Sequence, residues 1–374
     1  MELCAVGDVS VNRDDPASAF ELARPILAGA EVTFGNCESV YSDRGDRNPH
    51  TSGVVYASPK AVPAIADAGF DVMNFANNHA LDRGTDAFVE TLDLLHDNGI
   101  ATCGAGLDLD QASAAAVVER DGTTFAFVGC SAILFPDYDA TDRRPGCAPL
   151  HATTIYEQAE MEQPGSPPRI ATSADPADVA RIVAEIARVR DAADVVVFTA
   201  HWGLHFTPAA VADYETEVAR AAIDAGADLV LGHHQHILKP VQVYRGKVIF
   251  HGMGNFIFDL VFGEMDFRPD FEAELAAYTR RYAGFNPKEQ DGYPTYPFHP
   301  DSRRTMIVRA RIEDRRVADV AFTPCFINPD GQPEPLAPGD ERFADVAAYL
   351  ERITAASGFD TRFVPDGDRV RVAT

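Results

Sequence analysis

Cationic residues are scarce in this chain: 32 lysines and arginines stand against 57 aspartates and glutamates in 374 residues, a formal net charge of −25. A field of that sign repels phosphates and anionic headgroups, so no nucleic-acid partner and no membrane surface are expected. It also disfavours a polyanionic substrate unless a local cationic centre reverses the sign, and it accommodates a neutral or basic peptide more easily. Long apolar runs are missing as well; no stretch approaches the roughly 18 consecutive apolar residues of a membrane span. The opening "MELCAVGDVS" has no basic segment and reads directly as a strand, so the expectation is a cytoplasmic protein without a cleaved leader. The six cysteines, Cys4, Cys37, Cys103, Cys130, Cys147 and Cys325, show no CxxC spacing and read as reduced thiols, mostly in buried strands. No internal repeat is visible. The "CGAG" of residues 103–106 falls short of a dinucleotide-binding fingerprint.

What is present is a globular composition, 46% hydrophobic and 24% charged. Apolar runs at 1–7, 31–36, 71–76, 100–104, 124–130, 193–200, 227–232 and 247–252 predict strands. Helical patterns around 17–28, 60–69, 84–98 and 208–226 fall between them, with Thr85 as a candidate cap and Gly99 as a stop. This alternation predicts an α/β layered fold. Residues 304–324 read instead as an antiparallel hairpin turning at "EDRR". Two segments break the rhythm of what is expected to be a single domain spanning 1–374. One insertion, 135–175, is rich in Pro, Asp and Gly. The other, 260–303, carries Phe262, Phe267, Phe271, Tyr278, Tyr282, Phe285, Tyr293, Tyr296 and Phe298, and predicts a lid or substrate wall.

Chemistry collects at the carboxyl ends of the strands, where ligands bind in open α/β folds. The first strand ends in Gly7-Asp8 and the second in Asn36-Cys37-Glu38. The third ends in Asn77-Asn78-His79. Later strands end in His201, with His205 close by, and in the run His233-His234-Gln235-His236. Singly, each residue has an ordinary reading as a turn former or a satisfied histidine. Jointly they predict a metal centre. Carboxylate, amide and imidazole donors without thiolate suit one or two divalent ions of Mn, Fe, Zn, Ca or Mg.

At this point the chain resembles a known family. "AVGDVS", "FGNCES", "NFANNHALDRG", "AHWG" and "GHHQHILKPVQVYRGKVIFHGMGNFIFD" together look like the CapA-like, poly-γ-glutamate capsule proteins. The resemblance runs over residues 2–259 and the hairpin to 324. That family is similar in fold to the calcineurin-type metallophosphoesterases, which implies a layered β-sandwich flanked by helices around a dinuclear metal site. It also implies metal ligands at Asp8, Asn78, His201, His234 and His236, with Asn36 or Glu38 standing for the bridging aspartate. His79 matches the family's catalytic histidine, and His233 is an added neighbour. Two departures stand out: Ser10 replaces the histidine of the first motif, and Ala80 lacks the acidic residue that usually follows the catalytic histidine.

Three reactions compete on these residues. A phosphoester hydrolase would use two metals to clamp phosphate, but the first two motifs are altered. A role in making or cutting poly-γ-glutamate fits the resemblance, though such members usually carry a membrane anchor or are secreted. The leading expectation is implied by the resemblance, since some CapA-like proteins mature ribosomal peptides: L-to-D epimerisation at Cα in a lasso-type peptide. There a metal would stabilise the enolate through the carbonyl oxygen while two groups move the proton. His79, His205 and His299 are the candidate proton carriers, and His251 a further histidine available to the site.

Overall fold

A computed structural model describes residues 1–261, 265–268, 275, 276, 279, 285, 286 and 292–374. The uninterrupted apolar runs Val195–His201 and Leu229–His233 become parallel strands buried on both faces, as continuous β-branched stretches dictate. They lie at the centre of a six-stranded sheet ordered Val241–Tyr244, Lys247–Phe250, Leu229–His233, Val195–His201, Thr123–Ser131, Ala116–Arg120. A second sheet has ten strands. Its parallel half runs Glu2–Ser10, Val32–Cys37, Val72–Asn74, Ala101–Cys103, and its antiparallel half begins with the hairpin Arg304–Glu313 and Arg316–Ile327. That hairpin turns at Asp314 and Arg315, both at positive φ, inside the predicted "EDRR".

The two sheets face each other across one core in which Leu3, Phe34, Phe127, Val197, Leu229 and Phe250 are buried together. Phe34 and Phe127 stack across it with centroids 5.3 Å apart. Burial of each such side chain contributes about 1.5–3 kcal/mol. Period-two alternation sorts Arg304–Glu313, sending Met306, Val308 and Ala310 into this core and Ile307 to the opposite face. The outer face of the ten-stranded sheet is covered by helices Val62–Asp67 and Gly84–Asp97 through Val62, Ile65, Phe88, Leu92 and Leu95. The outer face of the six-stranded sheet packs on Pro176–Arg190 and Asp213–Ala225 through Ile182, Ile186, Val218 and Ala222. The result is an α/β fold in four layers, helix, sheet, sheet, helix.

Several expectations change. The helix expected over 17–28 divides into a 3-10 turn, Pro16–Phe20, and a single turn, Arg24–Leu27, because Pro25 supplies no N–H to continue the first. The helix expected from 208 starts at Asp213. Ahead of it, the carbonyls of Thr207 and Ala210 accept the ammonium of buried Lys239, and that of Ala209 accepts the Ser357 hydroxyl at 2.6 Å. Thr85 does not cap its helix, which begins at Gly84 after Arg83; Gly99 does end it, at φ 80°. Insertion 135–175 contains an exposed hairpin, Ala152–Glu157 with Arg169–Ala174, and the buried Tyr138. Of the aromatic insertion, Tyr296 and Phe298 pack with Val55, Phe258 and Ile327. Phe262, Phe271, Tyr278 and Tyr282 lie outside the described residues, as does much of the expected lid. All six cysteines are free and buried. Among the described residues no helix is long and apolar enough to cross a membrane.

Candidate metal centre

Parallel pairing carries one row of polar side chains across the ten-stranded sheet. Asp8 lies in register with Asn36 on one side and Asn255 on the other, and Asn36 in register with Asn74. Register partners point to the same face, so four short polar side chains meet at the strand ends. Asn74 donates to Asn36 Oδ1 at 2.8 Å, and Asn36 donates to Asp8 Oδ1 at 2.9 Å. Gly7 is required just before Asp8, since a Cβ there would lie 1.8 Å from the Gly254 carbonyl oxygen. Glu38 follows one residue beyond the second strand and is fully buried.

The six-stranded sheet brings the imidazoles from the opposite side. His201 and His233 end adjacent strands in register. The chain then turns sharply: His234 and His236 sit at φ 99° and 55°. Two non-glycine residues held at positive φ cost about 1–3 kcal/mol each, strain of the kind concentrated at functional sites. The sheets join where His201 Nδ1 meets Asn36 Nδ2 at 3.3 Å and His201 Nε2 meets Asn78 Oδ1 at 2.7 Å. His236 Nδ1 is 2.7 Å from Asn255 Oδ1, and Asn255 in turn donates to the Tyr296 hydroxyl at 2.9 Å.

Two triads of donor atoms result, each with all atoms within 4.8 Å of one another: Glu38, His201 and His234, and Asp8, Glu38 and His236. Glu38 belongs to both, so Glu38 rather than Asn36 stands between them, while Asn36 orients Asp8 and His201. His233 lies 3.6 Å from Asp8. Burial drives the imidazoles of His201 and His234 well below their ordinary pKa and that of His233 down to about 4, which keeps all three neutral and able to donate lone pairs. Burial also pushes the Glu38 carboxyl well up, and the charge of Asp8 adds to the rise. For Asp8 burial acts upward too, but the imidazole of His236, 3.6 Å away, and those of His233 and His201 bring it down to about 2. Asp8 Oδ2, both Glu38 oxygens, both His233 nitrogens and His234 Nδ1 are buried without a hydrogen-bond partner among the described residues. Among the described residues no lysine or arginine pairs with either carboxylate. Two carboxylates and unpartnered lone pairs at zero exposure are costly unless a cation joins them, so this donor set fits a divalent metal.

His79 stands at the edge, its side chain 15% exposed. Its Nδ1 is 2.7 Å from Asp82 Oδ2, and buried Asp82 also accepts the Val55 N–H at 2.7 Å and the Tyr138 hydroxyl at 2.9 Å. The carboxylate that Ala80 could not provide therefore arrives two residues later. The His-x-x-Asp spacing of "HALD" is the one sequence signal that could have revealed it; Tyr138, Asn255 and Tyr296 had none. His205 lies with its ring 4.0 Å from that of His234 and 5.2 Å from that of His236. His299 lies farther out, 5.9 Å from Phe206, and its Nδ1 accepts the Asp301 N–H to cap a 3-10 turn. His251 is not brought to the cluster. It stacks on Phe359 and Trp202 in the apolar interior behind it.

The family described as bacterial capsule synthesis protein PGA_cap matches residues 2–260. The chain is 29% identical over 248 residues to the PGA biosynthesis protein CapA of Bacillus subtilis, covering 65% of this chain and 57% of that protein. It thus spans less than two thirds of that relative's length. It is 28% identical to an uncharacterized protein of Sinorhizobium fredii, covering 86% of this chain and 81% of the other. Among solved structures it is similar to a hypothetical protein from Thermus thermophilus, with 15% identity, a TM-score of 0.45, and coverage of 90% of this chain and 100% of that one.

Proposed function

The chain belongs to the bacterial capsule synthesis protein family, and from that premise we propose that it is a metal-dependent enzyme acting on an amide-linked acidic chain of the γ-glutamyl kind, by hydrolysis or transfer at the amide carbonyl. The observation that carries this reading is the pair of buried donor triads sharing Glu38, with no lysine or arginine paired to their carboxylates among the described residues. The four-layer arrangement, with every candidate ligand at a strand's carboxyl end, supports the calcineurin-type metallophosphoesterase fold. Asp8, Glu38, His201, His234 and His236 would hold one or two divalent ions, with Asn78 beside His201. Such an ion supplies Lewis-acid polarisation of the substrate carbonyl and the positive centre that an acidic chain needs near a protein of net charge −25.

The remaining work falls to side chains of this protein. Asp82 holds His79 through Nδ1, leaving Nε2 to carry the proton. His79 takes a proton from the water, or from the acceptor group in transfer, as that nucleophile bonds to the carbonyl carbon, and returns it to the amine nitrogen as the C–N bond breaks and the amine leaves. Tyr138 and the Val55 N–H fix Asp82, so the imidazole plane is set before substrate arrives. Asn36 steadies the ring of His201 at Nδ1, and Nε2 faces Asn78 Oδ1 and Glu38, the side on which an ion would be held.

A second reading, Cα epimerisation of a neutral or basic peptide, is favoured by one observation: His205 and His299 gather around Phe206 as a further set of imidazoles beyond those hydrolysis requires. None of the relatives described above is named as a peptide epimerase, so the lasso-type assignment rests on the CapA-like resemblance together with the chemistry of the histidines. Incubating purified protein with poly-γ-glutamate and with short peptides in D₂O separates the two. Hydrolysis gives shortened chains and new amines without Cα deuteration; epimerisation gives one deuteron and inverted chirality without cleavage. Activity that survives complete removal of metal by chelator would refute the metal-dependent reading.

A further inference from the structure

A cavity of about 500 Å³ lies outside the donor triads, between the end of the first strand, residues 54–61 and the start of the aromatic insertion. It adjoins the centre through shared residues. Val55, in its wall, donates its N–H to the Asp82 that holds His79, and Asp259, also in its wall, donates its N–H to Ser10 O, two residues past Asp8.

Two cations face this cavity. Arg13 is clamped by Asp259, with Nε to Oδ2 at 2.8 Å and Nη2 to Oδ1 at 2.5 Å, while the Asn12 N–H takes up Oδ2 at 2.9 Å. Nη2 also reaches the Gly331 carbonyl at 3.3 Å. This leaves the guanidinium oriented, with its Nη1 edge uncommitted among the described residues. Lys60, on the same lining, has no ion-pair partner among the described residues, in a chain with 57 acidic side chains. Both Asp259 oxygens are consumed. The rest of the lining combines aliphatic side chains, among them Val11, Val54, Leu260, Val261 and Met265, with the polar Asn12, Tyr56, Ser58 and Thr295.

We propose that this cavity is a binding subsite for a carboxylate on an aliphatic stem, the carboxylate held between Arg13 Nη1 and Lys60 and the methylenes against the apolar wall. The proposal rests on the reading above and deepens it, since a chain seated here would lead from the cavity toward His79. Charge decides between anions. The lining already carries Asp14 and Asp259 against its two cations, so a monoanion is tolerated where a dianionic phosphate brings excess negative charge into a strongly acidic protein. A planar carboxylate also matches the free edge of a fixed guanidinium.

The test is calorimetric titration of the full-length protein as purified, with glutaramate (one carboxylate, three methylenes, a terminal amide) and separately with inorganic phosphate. Glutaramate should bind saturably and phosphate more weakly. Lys60→Glu, on an exposed side chain that leaves the fold intact, should weaken glutaramate binding by about 10-fold or more, the loss of one charge-assisted contact, and Lys60→Arg should restore it. Unchanged binding in Lys60→Glu, absence of glutaramate binding, or tighter binding of phosphate would overturn the assignment. Binding needs no turnover, so an inactive preparation that still takes up glutaramate counts against the catalytic reading and not against the subsite.

Discussion

Replacing Asn255 by leucine should weaken metal binding by about 10–100-fold, equivalent to about 1.4–2.7 kcal/mol, the usual effect of losing a partner that orients a ligating histidine. The magnitude follows from a short chain of bonds. The Tyr296 hydroxyl donates to Ser302 O at 2.7 Å and accepts from Asn255 Nδ2 at 2.9 Å. With its amino group spent there, the Asn255 amide has one orientation, Oδ1 toward His236 Nδ1 at 2.7 Å. His236 then carries its proton on Nδ1 and offers the bare Nε2, which lies 4.0 Å from Glu38 Oε1. Leucine removes both links without opening a cavity, so the tautomer and the ring angle become free. Asn255→Asp keeps an acceptor for Nδ1–H and should retain most of the affinity, whereas Tyr296→Phe should lose up to about 10-fold. Competition against a fluorescent chelator at fixed pH gives the affinities. Long-range ¹H–¹⁵N NMR of His236 reports the tautomer directly, which a general loss of stability would not change. A folded Asn255→Leu protein with unaltered affinity and an unaltered tautomer would refute the reasoning.

Three further outcomes are expected. Asp82→Asn should lower turnover on whichever substrate proves active by about 10²-fold or more while leaving metal content intact, because the imidazole of His79 loses the partner that sets its tautomer; elemental analysis beside kinetics checks both halves. Burial pushes the Glu215 carboxyl up to about 7, against the Ala212 N–H and the charge of Lys239, and pulls the Lys239 ammonium down to about 8. The folded state therefore holds the Glu215 proton that the unfolded chain releases near 4.5, so stability should fall from about pH 4.5 to 7; above about pH 8 the unfolded chain holds the Lys239 proton that the folded state has lost, so stability should recover. Urea unfolding across that range should show the fall abolished in Glu215→Gln. Finally, the six buried thiols should be inert to Ellman's reagent in the native protein and all react once it is unfolded, because burial both shields them and raises their pKa, that of Cys37 to about 12. A rapidly reacting thiol in the native state would show a strand interior to be open.

By itself the sequence determined the layered α/β character, because continuous apolar runs such as "VVVFTA" can only be strands buried on both faces, and the alternation in 304–313 can only be a strand with two different environments. It also determined which side chains gather, since Asp8, Glu38, Asn78, His201 and His234 each end a strand or follow one closely, and strand ends in such folds converge. It did not determine their division of labour. Whether Asn36 or Glu38 stands between the two triads depended on the pairing register that turns Asn36 toward Asp8. The isolation of His251 depended on the turn after Phe250 that carries it behind the cluster and against Trp202. Tyr138, Asn255 and Tyr296 come from three separate segments. Their side-chain hydrogen bonds to Asp82, His236 and one another span 19 to 56 residues of chain, a separation over which neither period nor spacing carries a signal. Local pattern fixes how a segment folds and which face it buries, but a hydrogen bond between distant side chains exists only once both sheets have closed around it.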